Sequence, residues 1–210
     1  MADTLTTEKL GARTKVLYGV ADFGIAMLTA SLQFFLLFFL TDVLAINPGL
    51  AGTALLVGKL TWDAINDPLI GYLSDRTRTR LGRRRPYMLA GAVPLALATW
   101  ILFSIPSGLT GTVAFFTILL AFLFYDTMHT MVSVPYSSLT PELTHDYDER
   151  TSLTAVRMVF SVLGYILGAA ATIALAGLFQ DLLGLTEKAA YSGVGAVFGA
   201  VSYTHLRAHE

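Results

Sequence analysis

The 210-residue chain contains no cysteine, which excludes disulfides, thiol chemistry and any cysteine-ligated metal centre. Charge is scarce as well: Asp, Glu, Lys and Arg make up 14% of the residues and nearly cancel, leaving a net −1. The sequence shows no nucleophile–base arrangement, metal-ligand spacing or phosphate-binding loop, so an enzyme is not expected. The N-terminus carries Thr4, Thr6, Thr7, Glu8, Lys9, Arg13 and Lys15. It lacks a short apolar region with a cleavage site, so no cleaved signal peptide is expected.

What fills the chain is apolar. Hydrophobic residues make up 54% and the mean hydropathy is +0.62, the composition of an all-α, polytopic membrane protein. Six spans are predicted, at Tyr18–Leu40, Gly49–Leu73, Tyr87–Ile105, Thr112–Pro135, Ala155–Phe179 and from Ala190 onward. Lys9, Arg13, Lys15, Arg76, Arg78, Arg80, Arg83, Arg84, Arg85 and Arg150 fall in segments on one face, against Lys188 on the other. The excess of positive charge places that face, and with it the N-terminus (residues 1–17), in the cytoplasm. The expected location is the plasma membrane, a bacterial inner membrane in particular, with lipid around the spans. A nucleic-acid partner is not expected, because the arginine run lies directly beside two spans. After Val201 the sixth span turns polar, with His205 and His209 in its last residues. Residues 18–201 are therefore expected to form a bundle whose sixth helix is truncated, and residues 202–210 to be a non-native tail.

Acids inside the second span carry the most information. In Trp62-Asp63-Ala64-Ile65-Asn66-Asp67-Pro68, a helix puts Asp63 and Asp67 on one face with Asn66 beside them and Lys59 one turn earlier. Carboxylates in lipid face a polar cavity or a bound partner, and two carboxylates with a carboxamide suit a hard cation such as Na⁺, or a proton. Pro68 also frees the carbonyl of Ala64 from its helical partner. The alternative is an acid pair neutralised by Lys59 or Arg157 that only holds helices together. Asp126 and His129, at i and i+3 in the fourth span, share a face. They can relay protons, bond a substrate, or act as a polar pair joining helices. Gly164-x-x-x-Gly168 permits close helix approach, with Gly177 further along.

An ordered set of motifs runs through nearly all of the chain: Tyr18-Gly19 with Asp22-Phe23-Gly24, Thr41-Asp42-Val43, the Trp62–Pro68 segment, Gly71 through Asp75-Arg76 to Gly82-Arg83-Arg84-Arg85-Pro86, Pro135-Tyr136, Leu139-Thr140-Pro141-Glu142, Asp148-Glu149-Arg150 and Arg157. In these the chain resembles the glycoside–pentoside–hexuronide:cation symporters of the major facilitator superfamily, of the melibiose-permease type. The resemblance implies two six-helix bundles, of which this chain supplies the N-terminal one. It implies that Asp63, Asn66, Asp67 and Thr130 form the cation site, with Asp63 and Asp67 as Na⁺ ligands if Na⁺ is the coupling ion. It matches Arg157 to an arginine beside the sugar site, against a snorkelling role or a pairing with Asp63. Asp22, Asp126 and Tyr136 are further substrate-binding candidates, although Asp22 is equally readable as a helix-start acid. Gly71, Asp75, Arg76, Gly82, Arg83 and Arg84 match the gating loop between helices two and three, where arginines also set topology. Three sugar-contacting positions of melibiose permease are Ala26, Ser133 and Ser137 here, so galactoside specificity is not implied.

The expected function is Na⁺- or H⁺-coupled symport of a sugar or glycoside by alternating access, with no other cofactor and with a C-terminal six-helix bundle as the missing partner. A carrier for a non-sugar solute, an uncoupled facilitator and a non-transporting membrane module are the alternatives.

Overall fold

A computed structural model describes residues 10–80, 82–144 and 146–207, with the side chains of residues 203 and 205–207 left aside. Positions 1–9 of the expected tail, and 208–210 at the other end, lie outside the described residues. The elements are α1 (Ala12–Phe38), which continues as a π-helical turn (Phe39–Val43), α2 (Pro48–Arg76), α3 (Arg85–Leu102), α4 (Gly111–Ser137), the short α5 (Thr140–Leu143), α6 (Tyr147–Leu183) and α7 (Glu187–Arg207). The long helices correspond one to one with the predicted spans. No β-strand is formed among the described residues. α1, α3, α4 (continued through α5) and α6 are each long and apolar enough to cross a membrane. α2, which carries Lys59, Asp63 and Asp67, is not among them. α7 continues as helix through Arg207, past the expected break at Val201.

Local chemistry sets the helix ends. Asn47 accepts a hydrogen bond from the Leu50 amide at 3.2 Å, and Pro48 occupies the first turn of α2, where its missing N–H costs nothing. Asp146 caps α6 by accepting from the Glu149 amide at 2.8 Å, with Asp148 and Glu149 in a first turn whose dipole favours them. α6 ends at Gly184, at φ 63°, the left-handed conformation glycine supplies. Its 37 residues, rising about 1.5 Å each, exceed the roughly 30 Å hydrocarbon layer, so its ends extend past the lipid.

Packing is pairwise. α1 lies against α6, α2 against α4, and α3 against both α4 and α7, while the consecutive helices α1 and α2 barely touch. Gly164 and Gly168 make the α1–α6 contact possible: a Cβ at either would sit 2.5 Å from the carbonyl oxygen of Phe23 or of Met27. The expected close approach is therefore real, and its partner is α1. At the end away from the arginine-rich loop, Phe39, Phe103 and Tyr191 join the π turn, α3 and α7, with ring centroids 5.5–6.2 Å apart. The outer faces are apolar, with Leu60, Val113, Leu120 and Ile173 exposed, as suits lipid or further helices in place of water.

Candidate functional site

α2 and α4 together hold a column of polar contacts. The Lys59 Nζ lies 2.6 Å from Asp63 Oδ2 and 3.4 Å from Asp126 Oδ1. Below it, Trp62 Nε1 donates to Thr127 Oγ1 at 2.8 Å. Thr130 Oγ1 donates to Asp67 Oδ1 at 2.9 Å. Asn66 is buried between these groups, and its Nδ2 has no partner among the described residues. Asp63 Oδ1 and Asp126 Oδ2 are likewise buried and unpaired.

These orphaned oxygens fit a cation: a buried carboxylate oxygen with no donor is costly until a proton, a metal ion or a donor group meets it. The free amide nitrogen of Asn66 is a donor, and a cation would require the side-chain oxygen instead, which a flip of the amide provides. No group of three or more Asp, Glu or His side chains is placed to hold a metal ion among the described residues. The arrangement is thus sparse in ligands, and Lys59 already neutralises part of it.

Above this column a cavity of about 520 Å³ opens between α1, α2 and α4. Its polar lining is Thr29, Gln33, Lys59, Tyr125, Asp126 and His129, and the remainder is Leu32, Leu36, Leu37, Leu55, Leu56, Phe122 and Gly52. His129 does not pair with Asp126. Its Nε2 lies 3.4 Å from Thr29 Oγ1 on α1, and its ring stacks on Tyr125 at 5.7 Å. Gln33 is hydrogen-bonded by the Tyr165 hydroxyl of α6.

The other expected substrate residues form a separate cluster. Arg157 Nε lies 3.5 Å from Asp22 Oδ2, so the arginine turns to Asp22 and not to Asp63. Asp22 is no helix-start acid: α1 begins at Ala12, and the Asp22 side chain is largely buried. The Arg157 guanidinium lies 5.8 Å from the Tyr136 ring centroid. Tyr136 is 3% exposed and donates its hydroxyl to the Tyr18 carbonyl at 2.6 Å, while Tyr18 donates to the Tyr136 carbonyl at 2.8 Å. The two rings stack at 4.6 Å. In this conformation the Tyr136 hydroxyl joins α4 to α1 and does not line the cavity.

Of the residues expected to form a gating loop, Arg83 and Arg84 reach the acidic segment. Arg84, its side chain 12% exposed, reaches Asp75 at 3.1 Å and Glu142 of α5 at 3.4 Å. Arg83 also reaches Glu142, at 3.1 Å. Gly82 adopts φ 95° to turn the loop, and Arg76 lies over the Tyr72 ring at 4.2 Å. A Cβ on Gly71 would reach Val134 at 3.8 Å. The basic loop and the acidic segment before α6 therefore contact each other, an option that sequence left open beside simple solvation.

A family model described as MFS/sugar transport protein matches residues 17–204. The chain belongs to this family. Family membership makes it a multi-pass membrane protein of the transporter class, not an enzyme. It is 46% identical over 187 residues to the uncharacterized symporter sll1374 of Synechocystis sp. (strain ATCC 27184 / PCC 6803 / Kazusa), covering 86% of this chain and 34% of that protein. It is 31% identical over 196 residues to the putative glycoside/cation symporter YagG of Escherichia coli (strain K12), covering 91% of this chain and 40% of that protein. With sodium-dependent lysophosphatidylcholine symporter 1 of Mus musculus it shares 36% identity over 168 residues, covering 78% of this chain and 31% of that protein. The chain thus spans between 31% and 40% of the length of these relatives.

Proposed function

We propose that this chain is the first six-helix bundle of a cation-coupled symporter that moves a sugar or glycoside by alternating access across a bacterial inner membrane, with its N-terminus in the cytoplasm. The observation that carries the reading is the α2–α4 column, where Thr130 holds Asp67 and a buried Asp63 oxygen is left for a positive charge. Asp63, Asp67, Thr130 and a flipped Asn66 would hold the transported Na⁺ or, at a carboxylate, a proton. Filling that site ties α2 to α4 and biases the access equilibrium by the cation's differential affinity for the two states. Asp22 and Arg157 offer a carboxylate and a guanidinium to substrate hydroxyls. Arg84, held by Asp75 and Glu142, closes the loop face.

A second reading concerns the solute. The cavity wall formed by Leu32, Leu36, Leu55, Leu56 and Phe122 favours a substrate with an apolar part, and one of the relatives is named for lysophosphatidylcholine. The test is uptake of a glycoside panel and of lysophospholipids by liposomes containing the complete carrier, with and without a Na⁺ gradient, beside Asp63→Asn and Asp67→Asn. Gradient-driven glycoside uptake lost in both variants supports the first reading. The same pattern with lysophospholipid alone replaces the sugar. Uptake indifferent to gradients and to both variants removes the cation site.

A further inference from the structure

One ammonium serves two of the three carboxylates in the α2–α4 column. Lys59 makes a tight 2.6 Å contact with Asp63 and a loose 3.4 Å contact with Asp126, while Asp67 has the neutral hydroxyl of Thr130. Asp126 is the most deeply buried of the acids (side chain 4% exposed), yet its one cationic contact is the looser one, one of its oxygens has no donor, and its carboxyl also lies beside that of Asp63. Lys59, by contrast, is 59% exposed on a flexible stem, so its ammonium is free to shift between the two acids. A buried carboxylate so weakly compensated gains most from a closer positive charge.

From this geometry we infer that Lys59 is a tethered cation: it occupies Asp63 when the transported cation is absent and passes to Asp126 when that cation binds. Asp126 is then neither a cation ligand nor a substrate contact but the seat that receives the displaced ammonium. The inference rests on the cation-site reading above. It assigns Lys59 the part of a competitor that sets cation affinity, and it explains why an acid lies one helix away from the Asp63–Asp67 pair.

The test is calorimetric Na⁺ titration of the complete carrier in detergent, with choline balancing ionic strength. Lys59→Met removes the competitor and is expected to tighten Na⁺ binding by about tenfold, with part of the bare Coulomb effect lost because the lysine is half exposed. A variant that merely lost a structural contact would not gain affinity. This chain has no cysteine, so in a complete carrier cleared of any other cysteine, Lys59→Cys adds the one thiol. That variant should show the same gain. Aminoethyl methanethiosulfonate, which rebuilds an ammonium on the thiol, should return the affinity to wild type, and the neutral methyl reagent should not. Unchanged or weaker binding in Lys59→Met, with Asp63→Asn abolishing binding, overturns the tethered cation and leaves the cation site standing. A gain that the ammonium reagent fails to reverse also overturns it. Absence of Na⁺ binding in wild type and Lys59→Met alike sinks both this inference and Na⁺ coupling.

Discussion

Thr130 holds Asp67 with a hydroxyl, 2.9 Å away on another helix, and that bond orients one carboxylate oxygen before any ion arrives. A hydrogen bond to a charged group contributes about 1.5–3 kcal/mol when well shielded. Asp67 is exposed in this bundle, so the lower end applies. Thr130→Ala should weaken Na⁺ binding by about tenfold and Thr130→Ser should retain it, as measured by the same titration. The tyrosine pair differs in kind. Tyr18 and Tyr136 exchange hydroxyl-to-carbonyl bonds inside a buried stack, and Tyr18 also meets Thr140 at 2.8 Å. Tyr136→Phe should cost about 1 kcal/mol of stability, seen as a lower unfolding temperature, without changing Na⁺ affinity. At this scale the sequence is informative where partners are near. Lys59 with Asp63 follows from i, i+4 spacing alone. Asp22 with Arg157, far apart in the chain, does not, and Asp63 was an equally good partner for the arginine on paper. The Thr130–Asp67 contact was reached only through family resemblance, because no local rule relates residues on two helices. The reach of Lys59 to Asp126 depends on how α2 sits on α4, which hydropathy does not encode.

Among the elements, α1 and α6 form the tightest pair. A Cβ at Gly168 would lie 2.5 Å from the Met27 carbonyl and 2.8 Å from its Cα, backbone atoms that can only yield by moving the helix. Gly168→Val should therefore destabilise the bundle by about 1–3 kcal/mol, measured by thermal unfolding. Gly177 has open space around it, so Gly177→Ala should leave stability unchanged or slightly raised. The long helices are legible from apolar runs; the short α5 and the helix ends are not. The fifth span was expected at Ala155–Phe179 and the helix runs Tyr147–Leu183. Apolarity marks only the part that crosses lipid, while the Asp146 cap and an acidic first turn start the helix in water. α1 begins at Ala12, ahead of Tyr18, in the same way: Lys15 pairs with Glu149 at 2.8 Å, so polar partners hold its first turn.

For the whole molecule, the placement of charge predicts which way it faces. The arginine-rich loop, the N-terminal segment and α5 lie at one end of the bundle, and Lys188 lies at the other. In inside-out vesicles of a cysteine-free carrier, a membrane-impermeant maleimide should label Arg78→Cys and not Glu187→Cys; in right-side-out vesicles the pattern should reverse. Equal labelling of both sites from one side would contradict the assigned orientation. The motifs were enough to place the chain in its family, since they recur in order along most of its length. They were silent on the cavity, whose walls come from α1, α2 and α4 and depend on how those helices pack.

The near absence of contact between α1 and α2 has a mechanical meaning. Each helix is fastened chiefly to a different partner, α1 to α6 and α2 to α4, and the two touch each other little; the bend between them, Leu44–Asn47, holds Ala45 at φ 55°, a conformation unfavourable for alanine. The bundle can be viewed as two arms that meet at that bend and are cross-linked between α1 and α4 by the Tyr18–Tyr136 pair and by Thr29 with His129, with the cavity between them. Because Asp22 and Arg157 ride on one arm and Lys59, Asp63 and Asp126 on the other, spreading the arms changes the distance between the two charged clusters while leaving each intact.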